Sequence, residues 1–125
     1  MIKLVIHGNP ATKKNSMQIC QNKRTGATFI APSKAFERYK KVFLRQVKKP
    51  KEPINEAVNV KAVYYRKTRH RVDLSNLINA THDLLVDSGV LLDDNCRIIK
   101  SVDGSEVRFD KDDPRVEITI TKKEG

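Results

Sequence analysis

Carboxylates and amides recur on one side of a segment in the middle of the chain, where their spacing could hold a divalent metal ion. Asp73, Asn76, Asn79 and Asp83 follow one another at three- and four-residue steps, which places them along one stripe of an α-helix with Asp73 at its start. Mg²⁺ prefers oxygen ligands and keeps several waters, so two or three carboxylates are enough to bind it. The same spacing also fits a helix cap followed by a solvated polar face.

A second acidic element follows this helix. Gly89 is a natural helix stop, so the chain can turn there and bring the pair Asp93 and Asp94 back towards the rest of the fold. Adjacent residues of an extended chain point to opposite sides. We therefore expect at most one of these two carboxylates to share a site with Asp73.

Cations precede the acidic helix. Residues 66–71 read R-K-T-R-H-R, and the chain has 25 Lys and Arg against 15 Asp and Glu, a formal net charge of +10. This balance favours an anionic partner, of which nucleic acid is the commonest, over a generic basic protein. Cations for phosphates beside carboxylates for a metal are the minimal equipment for cutting a phosphodiester. The candidate DNA-contacting residues are Lys13, Lys14, Arg66, Lys67, Arg69 and Arg71.

The elements that must position these residues follow from hydrophobic periodicity. Alternating apolar residues predict strands and steps of three and four predict helices. Strands are predicted at 2–6, 17–20, 27–31, 57–65, 98–102 and 116–120, with 106–109 continuing the fifth, and helices from an N-cap at Ser33 to Val47 and over 74–88. The pattern indicates an α+β fold, a small mixed β-sheet packed against two main helices, as a single domain over residues 1–125.

Other classes of protein are disfavoured by what the sequence contains. No apolar run approaches the ~18 residues of a membrane span, and the N-terminus is too short and too alternating for a signal peptide. Cys20 and Cys96 stand far apart, which argues against a zinc site and implies no disulfide. We expect a cytoplasmic protein.

The central segment D-L-S-N-L-I-N, with the D-x-L, G-V and D-D that follow it, resembles the signature of the RusA family of Holliday-junction resolvases. The opening G-N-P-A-T-K-K-N-S and the closing P-R-V-E-I-T-I are also similar to that family, so the resemblance covers nearly the whole chain. It implies a RusA-like fold, a homodimer, and a Mg²⁺-dependent endodeoxyribonuclease (with Mn²⁺ a possible substitute) that nicks four-way DNA junctions during recombination and repair. It implies neither a membrane partner nor a nucleotide cofactor.

The resemblance also implies roles for individual residues. Asp73 and Asp94 match the family's metal-binding carboxylates, Asp83 matches the helical Asp of the D-x-L piece, and Asn76 matches the family's Asn. We expect Asp73, Asp94 and Asp83 to be the catalytic carboxylates, with Asp83 helping the other two. Two positions depart from the family pattern. Ser75 stands where the family has a second Asp, and Asn79 stands where it has its catalytic Lys.

These two departures leave alternatives open. A hydroxyl is a weaker metal ligand than a carboxylate, and an amide offers no cation to a phosphate. Replacements are expected from Asp83, Asp103, Lys13, Lys14 or the basic residues 66–71, while His70 and His82 either touch the site or lie on the surface. The alternatives are a weakly active or non-catalytic junction-binding relative, or a basic RNA-binding protein, although the chain has few aromatic residues and no RNP-like motif.

Overall fold

The computed structural model describes residues 1–13, 17–21, 23–32 and 34–124. Within them the chain forms seven strands and two helices in an α+β arrangement. In chain order these are β1 (Ile2–His7), β2 (Met17–Gln21), β3 (Thr28–Pro32), α1 (Lys34–Gln46), β4 (Val58–Arg66), α2 (Leu74–Asp87), β5 (Ile99–Ser101), β6 (Glu106–Phe109) and β7 (Arg115–Lys122).

The main sheet is mixed and centres on β4 and β7. Strand β7 pairs antiparallel with both β1 and β4. The other edge of β4 pairs in parallel with β5 near its beginning and with β6 near its end. Strands β2 and β3 form a separate antiparallel hairpin. Because β4 and β6 run in parallel, the basic segment that leaves β4 begins beside the end of β6.

Both helices pack on one face of the main sheet. Side chains of β1 and β7, and those of the first half of β4, alternate between buried and more exposed positions, as expected for a sheet with one covered face. The helices contribute apolar residues at three- and four-residue steps to the same cluster. The core residues of the helices are Phe36, Tyr39, Phe43, Leu77, Ala80, Leu84 and Leu85. This packing turns the opposite side of α2, which carries the candidate site, towards solvent.

The predicted fold class is confirmed, and the main elements lie within one or two residues of their predicted bounds. The last helix ends at Asp87, and Gly89 adopts the left-handed conformation (φ 83°) that permits the stop. The prediction that residues 106–109 continue the preceding strand was wrong in detail. A turn at Gly104 (φ 87°) separates β5 from β6, and both pair with β4 instead. The predicted helix cap Ser33 lies outside the described residues.

No helix in the described part of the chain has the length and apolar character that crossing a membrane requires. Cys96 is a free, exposed cysteine.

Candidate functional site

The first turn of α2 presents the Asp73 carboxylate to solvent. Asp73 occupies the N-cap position with an extended backbone (φ −83°, ψ 123°), and its carbonyl accepts the first helical hydrogen bond, from Leu77 N at 3.2 Å. Its side chain makes no capping hydrogen bond. Instead, Asn76 Nδ2 donates to Asp73 Oδ2 at 3.2 Å, one turn along the helix. The Asp73 carboxylate is therefore not engaged in helix capping, and the side-chain amide of Asn76 orients it.

A groove runs along the polar stripe of α2. Lys13, Asn76, Asn79, Ala80 and Asp83 line a cavity of about 160 Å³, which we call the α2 groove. The predicted stripe is thus present, and Lys13 joins it from the N-terminal loop. Lys13 Nζ lies 3.5 Å from Asp83 Oδ2 and 5.8 Å from the centre of the Phe36 ring. A cation and Asn79 therefore share one cavity, although they are far apart in sequence.

Asp94 lies within electrostatic range of His82 on α2. Burial lowers the pKa of His82, and the negative charges of Asp94 and Asp83 oppose that shift. Asp93 belongs to a local turn, because its carboxylate accepts hydrogen bonds from Asp94 N at 2.7 Å and Asn95 Nδ2 at 3.0 Å. The backbone bond from Asp94 is the main reason why the pKa of Asp93 is lowered. Of the two adjacent carboxylates, Asp94 is the one whose charge acts on α2.

The donor set fits one kind of metal site and not another. Among the described residues, no three acidic, His or Cys side chains converge closely enough to hold a metal ion. This arrangement does not fit a closed protein cage. It does fit Mg²⁺ held by one or two carboxylates with water and substrate phosphate, the usual arrangement for this ion. Asp73 and Asp94 are exposed and remain the predicted ligands.

The basic segment, residues 66–71, is braced internally and anchored to the N-terminal loop near its start. Arg66 Nη1 donates to the carbonyl oxygen of His70 at 2.8 Å, and Lys67 N donates to Asn9 Oδ1 at 2.8 Å. Burial lowers the pKa of Arg66. Arg66 is thus a partly buried brace, while Lys67, Arg69 and Arg71 are exposed. The segment lies against the N-terminal loop, and the two enclose a cavity of about 290 Å³ to which Arg66 and Arg71 contribute.

Arginine–aromatic contacts form a second group that the sequence did not predict. The guanidinium of Arg69 lies 4.3 Å from the centre of the Phe109 ring. Arg115 and Arg108 lie over Tyr65 at 3.8 and 5.9 Å. The Arg69 and Arg108 contacts depend on the parallel pairing of β4 with β6, for which the sequence carries no local signal. The Arg115 contact follows from the antiparallel pairing of β4 with β7. Arg108 is paired with Glu106, and Arg115 is paired with Asp110 and Glu117. Arg69 is the member of the group that has no acidic partner among the described residues, and it carries positive charge from the basic segment to the edge of the sheet.

Other candidates are accounted for by local partners. Asp87 pairs with Lys40 at 3.5 Å, and Asp103 pairs with Lys123 at 3.3 Å in the turn before β6. Ser75 is exposed. Lys14 lies outside the described residues. The structure therefore brings Lys13, Asn76, Asn79 and Asp83 into one cavity, with Asp73 held by Asn76 beside it.

Comparison with known proteins identifies the family of this chain. The family model for endodeoxyribonuclease RusA matches residues 7–121, nearly the whole chain. The chain belongs to the RusA endodeoxyribonuclease family, whose members act on branched DNA junctions. A comparison with curated proteins gave no match.

Proposed function

We propose that this protein is a Mg²⁺-dependent endodeoxyribonuclease that resolves four-way DNA junctions in recombination and repair. The observation that carries this proposal is the α2 groove, where Lys13 faces Asn79 and Asp83 beside the exposed carboxylate of Asp73. Lys13 supplies a cation to the cavity that contains Asn79, the position where the family pattern has its Lys. The family match supplies the class of substrate.

The residues have distinct roles in this proposal. Asp73 and Asp94 would hold Mg²⁺. When bound, the ion would polarise the scissile phosphate and lower the pKa of the attacking water. Lys13 neutralises charge that develops on the phosphate in the transition state, and Asp83 keeps Lys13 in the groove.

The basic segment binds the DNA backbone. Lys67, Arg69 and Arg71 neutralise phosphates, while Arg66 braces the segment through His70. A two-fold homodimer places two such sites on one junction, so that paired nicks follow from symmetry. Sedimentation of the protein alone and with a junction tests the dimer, and a monomer in both conditions contradicts it.

Cleavage of a synthetic four-way junction with Mg²⁺ tests the reaction. The unmodified protein is expected to make paired nicks, and Asp73→Asn and Asp94→Asn are each expected to abolish them while leaving junction binding intact. Asp87→Asn is the matched control, because Asp87 is an exposed carboxylate of the same helix whose partner is Lys40. Full activity of both site variants would show that the assigned carboxylates are wrong.

A second candidate is a junction-binding protein that cuts weakly or not at all. Ser75 and Asn79 favour it, as does the lack of a three-ligand acidic cluster among the described residues. Tight junction binding without cleavage by the unmodified protein, in Mg²⁺ or Mn²⁺, would establish this candidate. Affinities for junction, duplex and RNA at one salt concentration separate both candidates from an RNA-binding protein.

A further inference from the structure

A basic pocket lined by an aromatic ring lies at the edge of the main sheet, beyond the α2 groove. It has a volume of about 200 Å³, and we call it the β6 pocket. One wall comes from the segment that leaves β4 and the other from β6. Its lining residues are Arg66, Thr68, Arg69, His70, Val107, Arg108 and Phe109.

Strand pairing places the two walls side by side. Arg66 is the register partner of Phe109 in the parallel pairing of β4 with β6, and Asp110 N donates to the carbonyl oxygen of Arg66 at 2.9 Å. The basic segment then runs on to Asp73. The β6 pocket is therefore joined to the candidate catalytic carboxylate by one short, anchored stretch of chain.

The chemistry of the pocket matches a nucleotide. The Phe109 side chain is 40% exposed, and its ring is contacted by the guanidinium of Arg69. An unstacked base can stack on an aromatic ring or on the plane of an arginine, while its phosphate pairs with the positive charge. Arg69 has no acidic partner among the described residues, and Arg66 Nε is buried without a hydrogen-bond partner among them.

Charge distinguishes this pocket from an apolar docking site for another protein. Three arginines and His70 line the pocket together with the ring. Glu106, on the same strand as Phe109, has a carboxylate that accepts a hydrogen bond from Arg108 Nε at 2.8 Å. Two cations thus remain for an anionic ligand, and a purely apolar partner would leave both without counter-charges.

We propose that the β6 pocket binds an unpaired nucleotide of the DNA, with the base stacked on the exposed part of Phe109 and the phosphate paired with Arg69 and Arg66. The inference rests on the proposed function for its choice of DNA as the partner. It extends that function by giving the protein a contact with single-stranded DNA, such as an unstacked nucleotide at a branch point.

Binding without cleavage tests this proposal separately from nuclease activity. The affinity of a 15-nucleotide single strand and of a 15-base-pair duplex is measured by fluorescence anisotropy in EDTA at one salt concentration. Phe109→Leu is expected to weaken single-strand binding roughly tenfold, the scale of one lost base–aromatic stack. Duplex affinity is expected to change less than about twofold, and Phe109→Tyr is expected to bind both ligands like the unmodified protein.

Matched charge variants and a stacking probe complete the test. Arg69→Gln is compared with Lys51→Gln, an exposed loop position that lowers the net charge by the same amount, and only Arg69→Gln is expected to lose single-strand preference. A single strand that carries 2-aminopurine is expected to change its fluorescence on binding to the unmodified protein and much less with Phe109→Leu. Equal losses on single strand and duplex, or an unchanged probe signal in Phe109→Leu, would overturn the proposal. These binding measurements contain no metal, so they test the β6 pocket whether or not the protein cleaves junctions.

Discussion

Lys13 is expected to be needed for cleavage and nearly dispensable for stability. Its amine lies 3.5 Å from Asp83, and the two side chains are 51% and 43% exposed. Ion pairs in such exposed positions contribute about 0.2–1 kcal/mol to folding. Lys13→Gln should therefore lower the melting temperature by no more than about 4 °C. Loss of one preorganised group that stabilises transition-state charge costs about 10²–10³-fold in rate.

The assay is single-turnover cleavage of a four-way junction with enzyme in excess, accompanied by the junction affinity measured in EDTA. Lys40→Gln is a closely matched control. Lys40 also forms a 3.5 Å ion pair with an aspartate of α2, Asp87, and those side chains are 43% and 48% exposed. Both substitutions remove one charge and one weak pair, but only Lys13→Gln removes a cation from the α2 groove.

The double variant Lys13→Gln/Asn79→Lys tests whether cleavage needs a cation at residue 13 or a cation anywhere in the α2 groove. It moves the cation from the N-terminal loop to α2 within the same cavity. We expect it to cleave at least about tenfold faster than Lys13→Gln alone. Equal slowing of cleavage by Lys13→Gln and Lys40→Gln would refute a catalytic role for Lys13. A loss in rate at saturating enzyme that weaker junction binding fully explains would refute it as well.

Three further predictions concern the metal, the hydrophobic core and the stability of the protein at acid pH. Ser75→Asp should lower the Mg²⁺ concentration needed for half-maximal cleavage, because it adds a carboxylate; an unchanged requirement means that residue 75 is not near the ion. Tyr39→Phe should raise the melting temperature by about 4 °C or more, since the buried Tyr39 hydroxyl has no hydrogen-bond partner among the described residues. The Arg115 side chain holds the pKa of Asp110 below its usual 3.8. The ionised Asp110 carboxylate therefore stabilises the fold above pH 3.8, and this stabilisation is lost as the pH falls through the lowered pKa of the folded state. Asp110→Asn should reduce the melting temperature at pH 7 and no longer do so in strong acid, and a difference that persists there contradicts this cause.

The parts of the fold that repeat over short distances could be predicted from the sequence. The apolar steps of α2, from Leu77 to Leu85, determine which side of the helix is buried, and they leave Asn76, Asn79 and Asp83 on the other side. The same local logic placed Asp73 at the helix start. Asp93 and Asp94 were expected to diverge, and Asp93 is indeed engaged in its own turn.

The contacts that join distant segments could not be predicted in this way. The ion pair between Lys13 and Asp83 depends on how the N-terminal loop crosses α2, and no periodic pattern encodes that crossing. The contact between Arg69 and Phe109 requires β6 to pair in parallel with β4. Parallel neighbours are brought together by a long crossover, so their register is a property of the whole sheet.

The departure at Asn79 changes how a cation is held in the groove. A lysine at that position would be attached to a rigid helix, whereas Lys13 enters from a loop and is retained by Asp83. The 3.5 Å separation is longer than the 2.7–2.9 Å of a strong charge-assisted hydrogen bond, and the pair is largely exposed, so Lys13 can transfer to an entering phosphate at little cost in free energy. Asp83 would then act as a holder of the cation, and its negative charge would be left in the groove once the phosphate has bound. If the proposed reaction takes place, a loop lysine held by Asp83 would therefore take the role that a lysine at position 79 would otherwise have.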